Sequence, residues 1–95
     1  MTNINDISAL VDKFSEESFG KDRSFIAPLL FLEYEVEGLK ESGEMEDYVD
    51  CLILLLDSFH KRFPDIPAQK LLELSKEKIE VIIPSRTWKK IKSFK

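Results

Sequence analysis

Three acidic side chains, Glu35, Asp47 and Asp50, are the residues of this chain best suited by type and spacing to do chemistry. They lie on two apolar helix patterns joined by the polar stretch ESGE at 41–44. With the fold-back centred between Ser42 and Gly43, an antiparallel helical hairpin sets position 35 across from 50 and position 38 across from 47. Glu35, Asp47 and Asp50 are then expected at one level of the bundle. Carboxylates crowded into a partly dry groove repel one another, and a divalent cation with oxygen ligands relieves the repulsion. The fourth corner is Gly38, which has no ligand to offer. Asp57 stands two turns beyond Asp50, about 10 Å along the axis. That is too far to share one ion on a straight helix, so Asp57 is expected to serve a second ion, a water or a neighbouring backbone group. Glu37 is turned about 200° from Glu35, and Glu46 about 100° from Asp47, so neither completes the set. Glu33 and Glu37, four apart, are expected on a solvated face.

Four helical segments must position these groups, and no segment alternates like a strand. The first covers about 5–18, with Asn5 or Asp6 as cap, a stripe of Ile7, Leu10, Val11 and Phe14, and Gly20 as terminator. The second covers about 25–40, with Ile26, Leu29, Leu30, Val36 and Leu39 on its apolar side. Pro28 near its start costs no helical hydrogen bond, and Gly43 marks the turn that follows. The third covers about 44–62, where Met45, Tyr48, Val49, Leu52, Leu55, Leu56, Phe59 and Phe63 follow one face. Cys51, Ile53 and Leu54 carry its apolar surface most of the way round, so it needs cover on several sides. In so short a chain that requirement predicts a homo-oligomer, a dimer or higher. Pro64 and Pro67 separate a fourth segment, about 67–82, with Ala68, Leu71, Leu72, Ser75, Ile79 and Ile82 on one face and Pro84 closing it. The expected architecture is all-α: a small four-helix bundle in one domain, core about 5–84 and basic tail 85–95, completed by oligomerisation.

Composition narrows the function. The 95 residues suffice for one domain and carry a net charge of −4, which gives no general affinity for nucleic acid or an anionic membrane. Eight acidic residues and one lysine fall between Leu32 and Asp50, whereas Arg86 to Lys95 holds five basic residues and no acidic one. An acidic middle suits a cation, and a basic end suits a phosphate or an acidic neighbour. The single cysteine, Cys51, excludes an internal disulfide and a multi-cysteine metal site; within CLILLL it reads as a small buried apolar residue. No stretch approaches the ~18 apolar residues of a membrane span. The start MTNINDISAL lacks the pattern of a signal peptide, so a cytoplasmic location is expected. His60, beside Lys61 and Arg62, suits the C-terminal end of the third helix dipole. Tyr34 and Tyr48 flank the acidic residues as rim or core packing, with lining of a nucleotide pocket as the functional alternative.

Several motifs occur together in a recognisable order. Phe19-Gly20 closes the first helix, and Arg23 follows. FLEYEVEG at 31–38 retains Leu32 and Glu35; DYVD at 47–50 runs directly into CLILLLD with Asp57; Arg86-Thr87-Trp88 comes near the end. From FSEESFG at 14–20 to SRTW at 85–88, the chain resembles the MazG-like all-α nucleoside triphosphate pyrophosphohydrolases, in particular the dATP/dGTP pyrophosphohydrolase branch. It departs from that pattern at Phe31, where the branch has His, at Gly38, where it has Glu, and at Asp47, where it has Glu. The Asn that precedes Arg-x-Trp in the branch has no counterpart in EKIEVIIPSR at 77–86.

The resemblance implies Mg²⁺-dependent hydrolysis of a nucleoside triphosphate, a purine dNTP, to monophosphate and pyrophosphate, with Mn²⁺ as a substitute ion. It implies Glu35, Asp47 and Asp50 as metal ligands and catalytic residues, and Asp57 behind them. Lys76, Lys78 and Arg86 are the phosphate-binding candidates; Trp88 either stacks on a base or packs on the bundle. The alternative is a catalytically degenerate relative, a helical oligomer that binds a nucleotide or a protein without turnover.

Overall fold

In a computed structural model, residues 2–20 and 24–82 are described. They form α1 (Ile4–Phe19), α2 (Ile26–Ser42), α3 (Met45–Arg62) and α4 (Gln69–Glu77), the last running into a π-helical turn at Lys78–Ile82. The described residues are helical and contain no strand, and none of their helices is long and apolar enough to cross a membrane.

Local chemistry sets the ends. Asn3, rather than Asn5 or Asp6, caps α1: its Oδ1 accepts from the Asp6 backbone N–H at 3.0 Å. Asn5 is instead free to reach across and accept from the Gln69 N–H at 2.9 Å, which supplies a partner for one of the unpaired N–H groups at the start of α4. Pro28 sits in the first turn of α2, as its missing N–H requires, and is fully buried. Gly43 takes the left-handed conformation, φ 62°, and donates to the Leu39 carbonyl at 2.8 Å. That closure folds α3 back along α2.

The longest contact in the molecule is between α2 and α3, and α1 packs on another side of α3. Ser58 Oγ donates to the Phe25 carbonyl at 2.7 Å and fixes the start of α2 against α3. Among the described residues the buried apolar core is small: Val11, Leu56 and Ala68, with Pro28.

Helix boundaries follow the sequence closely, but the buried faces do not. In α1, Leu10 and Phe14 are exposed, and the inner stripe is Ser8, Val11 and Ser15. Phe14 meets Phe19 edge-on at 6.2 Å. In α3, Met45, Tyr48, Val49, Leu52 and Leu55 are exposed, whereas Leu56, Asp57 and Ser58 are buried. On α2, Ile26, Leu30 and Val36 are exposed too. On α1 the inward Ser15 bonds Asp57 and Lys61 of α3, as described below. The fourth segment is shorter as an α-helix than its period implied, and Leu72 and Ile79 on its apolar face remain exposed.

Candidate functional site

The hairpin register brings Glu35, Asp47 and Asp50 together. One carboxylate oxygen from each lies within 4.8 Å of the others, and all three side chains are half-buried. Asp47 is also oriented from the turn. Ser42 Oγ donates to Asp47 Oδ2 and accepts from the Glu44 N–H at 3.1 Å, so one hydroxyl both shapes the loop and holds a carboxylate. No lysine or arginine among the described residues pairs with the three.

The donor set is anionic and all oxygen, which is the preference of Mg²⁺ and Mn²⁺ rather than of a soft ion. Adjacent ligands about 2.1 Å from Mg²⁺ in an octahedron stand ~3 Å apart and opposite ones ~4.2 Å. The three oxygens, within 4.8 Å of one another, stand at separations of that order. Gly38 leaves the fourth corner open: a Cβ built there meets nothing within 4 Å.

Cys51 senses the same cluster. Partial burial pushes its thiol above the ordinary value of 9.0, and the charges of Glu35, Asp47 and Asp50 push it further. It is half-buried and adjoins the acidic level, not the enclosed core its sequence neighbours suggested.

Asp57 lies away from the three-carboxylate level. It is 5 % exposed and belongs to a closed polar triangle between α1 and α3. Lys61 Nζ donates to Asp57 Oδ1 and, at 2.7 Å, to Ser15 Oγ; Ser15 Oγ donates to Asp57 Oδ2 at 3.1 Å. The charge of Asp57 is thus compensated within the fold. The Asp57–Lys61 spacing of four residues was visible in sequence; Ser15, from another helix, carried no signal of its own.

No known protein family, curated protein or solved structure matches this chain.

Between the acidic level and the Ser15–Asp57–Lys61 triangle lies a cavity of about 200 Å³. Phe14, Phe19, Phe31, Ile53 and Leu54 supply apolar walls, Glu35 lies at one edge, and Ser15 and Asp57 supply polar atoms. Phe31 therefore continues the apolar wall of this cavity. Sequence reading did not find it, because its walls come from three helices.

The other expected site residues do not join this group. Lys76 is exposed and pairs with Glu80 at 2.5 Å, and Lys78 begins the π-helical turn; neither lines the cavity. Arg86 and Trp88 lie outside the described residues. Tyr34, 77 % exposed, and Tyr48 point into solvent rather than into this cavity. Glu37 is exposed and pairs with Lys40 at 3.3 Å, as its helical phase required. His60, in the last turn of α3, bonds Asp12 of α1 at 3.2 Å through Nε2.

Proposed function

We propose that this protein is a MazG-like nucleoside triphosphate pyrophosphohydrolase that cleaves a purine dNTP to dNMP and pyrophosphate with Mg²⁺, in the cytoplasm. The observation that carries the reading is the convergence of Glu35, Asp47 and Asp50 without a compensating cation among the described residues, beside an apolar cavity that shares Glu35. Glu35 and Asp50, from facing helices, and Asp47, held by Ser42, are the residues that would hold Mg²⁺. When bound, that ion neutralises polyphosphate charge and lowers the pKa of a coordinated water. The chain's own contribution is positioning: two helices fix the carboxylates, and the aromatic walls offer an apolar bed to a base.

The test is direct. Pure protein with Mg²⁺ and each of the four dNTPs should release monophosphate and pyrophosphate in equal amounts. Glu35→Gln should lower the rate about 100-fold or more, the scale of a lost transition-state electrostatic contact. Because nothing obstructs a side chain at position 38, Gly38→Glu should fold, its helix-propensity gain of about 0.5–1 kcal/mol offset in the metal-free protein by the added like charge, and should tighten Mg²⁺ binding. Absence of Mg²⁺-dependent product from both the wild type and Gly38→Glu would refute the enzyme reading.

The vacant corner at Gly38 favours a second reading, a nucleotide-binding relative without turnover. Mg²⁺–dNTP would then raise the melting temperature with ligand concentration while no pyrophosphate appears.

A further inference from the structure

The side of α2 turned away from the three-carboxylate level carries a surface of a different kind. Glu33 and Glu37 lie about 200° round the helix from Glu35, and Glu41 continues their row. Apolar residues flank the row, Leu29 and Val36 along one edge and Leu30 and Tyr34 along the other. These four and the carboxylates of Glu33 and Glu37 line an open groove of about 810 Å³. Leu30, Glu33, Tyr34, Val36, Glu37 and Glu41 are exposed. Lys40 pairs with Glu37 at 3.3 Å, whereas Glu33 and Glu41 pair with no cation among the described residues. We propose that the basic segment of this same chain, residues 85–95, docks in this groove, with Trp88, Ile91 and Phe94 on its apolar edges and lysines answering the glutamate row.

Charge and apolar content select the occupant. A groove with apolar edges and an acidic centre calls for a partner that is both apolar and cationic. A second copy of the groove would set carboxylates against carboxylates, and nucleic acid or an anionic membrane would be repelled. Residues 85–95 hold five cations and no carboxylate side chain, together with three large apolar residues. Trp88, Ile91 and Phe94 recur every three residues, a spacing that sets them on one face of a helical segment with Lys90 and Lys92 at its borders. An amphipathic helix laid in a groove is a recurrent mode of recognition.

The connection is long enough. Leu71 of α4 lines a pocket with Phe25, at the start of α2, and the groove begins one turn further along α2, at Leu29. Residues 83–95 follow the π-helical turn and span up to about 45 Å when extended, against about 25 Å for the whole of the 17-residue α2. A tether of this length holds the segment at roughly millimolar effective concentration, so a contact of modest affinity is occupied.

Trp88 is the only tryptophan, so its fluorescence reports the contact in the full chain without a label. In buffer free of metal and nucleotide, its emission should be blue-shifted from that of tryptophan in water and weakly quenched by acrylamide, at every protein concentration. Glu33→Lys with Glu37→Lys should raise the quenching constant severalfold while helical circular dichroism is retained. Adding Lys90→Glu and Lys92→Glu to that variant should restore the shielding. Leu30→Ser, which leaves the charges in place, gives the second reading should the charge reversal not fold, and should also raise quenching. A Trp88 as accessible as free tryptophan overturns the proposal, because the segment then lies in water. Shielding that survives both the charge reversal and Leu30→Ser overturns it by placing the segment elsewhere. Shielding that appears only as protein concentration rises overturns it by giving the groove to another chain's segment. No nucleotide or metal enters this assay, so its failure is separate from failure of the hydrolysis reading.

Discussion

Two acidic regions lie on the same stripe of α3, and the fold treats them oppositely. At the level of Asp47 and Asp50, a third carboxylate from α2 is added, and no cation among the described residues answers them. Two turns along, Asp57 is buried with Lys61 on its own helix and a hydroxyl from α1. The second region is internally neutral and hydrogen-bonded at every corner, as a buried charge must be. The first has no cation beside it among the described residues. One helix thus carries a carboxylate that holds α1 in place and two that have no such partner.

Removing the cation of the buried triangle should have the largest effect. Lys61→Met leaves Asp57 charged and buried with only Ser15, and breaking such a pair costs about 3–5 kcal/mol. That is a large part of the ~5–15 kcal/mol that holds a domain folded. Urea unfolding should show it, and Asp57→Leu with Lys61→Met should restore most of the loss, because an apolar pair leaves no orphaned charge.

Asp50→Asn should move stability the other way. With one fewer charge in the acidic cluster, the metal-free protein should gain up to about 1 kcal/mol, the scale of partly exposed charge interactions. The rise in melting temperature on adding Mg²⁺ should shrink in the same variant. If Asp50→Asn instead destabilises the metal-free protein, the contrast between the two regions fails.

The smallest effect is a local report from Cys51. The neighbouring carboxylates hold its thiol protonated above its ordinary range. A divalent cation among them would oppose that influence, lower the thiol pKa and raise the thiolate fraction. Alkylation of Cys51 at mildly alkaline pH should therefore quicken severalfold with Mg²⁺, and not in Asp50→Asn. No change in the wild type would mean that no cation sits beside these carboxylates.

Much of the skeleton was legible in the chain. The ends at Gly20 and Gly43, the tolerance of Pro28, the break at Pro64 and Pro67 and the meeting of Glu35 with Asp47 and Asp50 all follow from rules that act over one or two turns or across one short hairpin. The inner face of α1 was not legible. Apolar periodicity favoured Leu10 and Phe14, yet Ser8 and Ser15 face inward, because Asp57 and Lys61 on α3 need a hydroxyl between them. The aromatic cavity beside Glu35 was hidden because its walls come from three helices.

Residue type and spacing by themselves determined four helical segments, the α2–α3 register and the acidic level it creates, because a hairpin maps sequence separation directly onto height along the helices. Only the tertiary structure decided how α1 is rotated, that Asp57 is neutralised while Asp50 is not, and which side of the hairpin is left uncovered. Those depend on contacts between helices distant in the chain, where burying a charge without a partner costs more than leaving several leucines and a tyrosine in water.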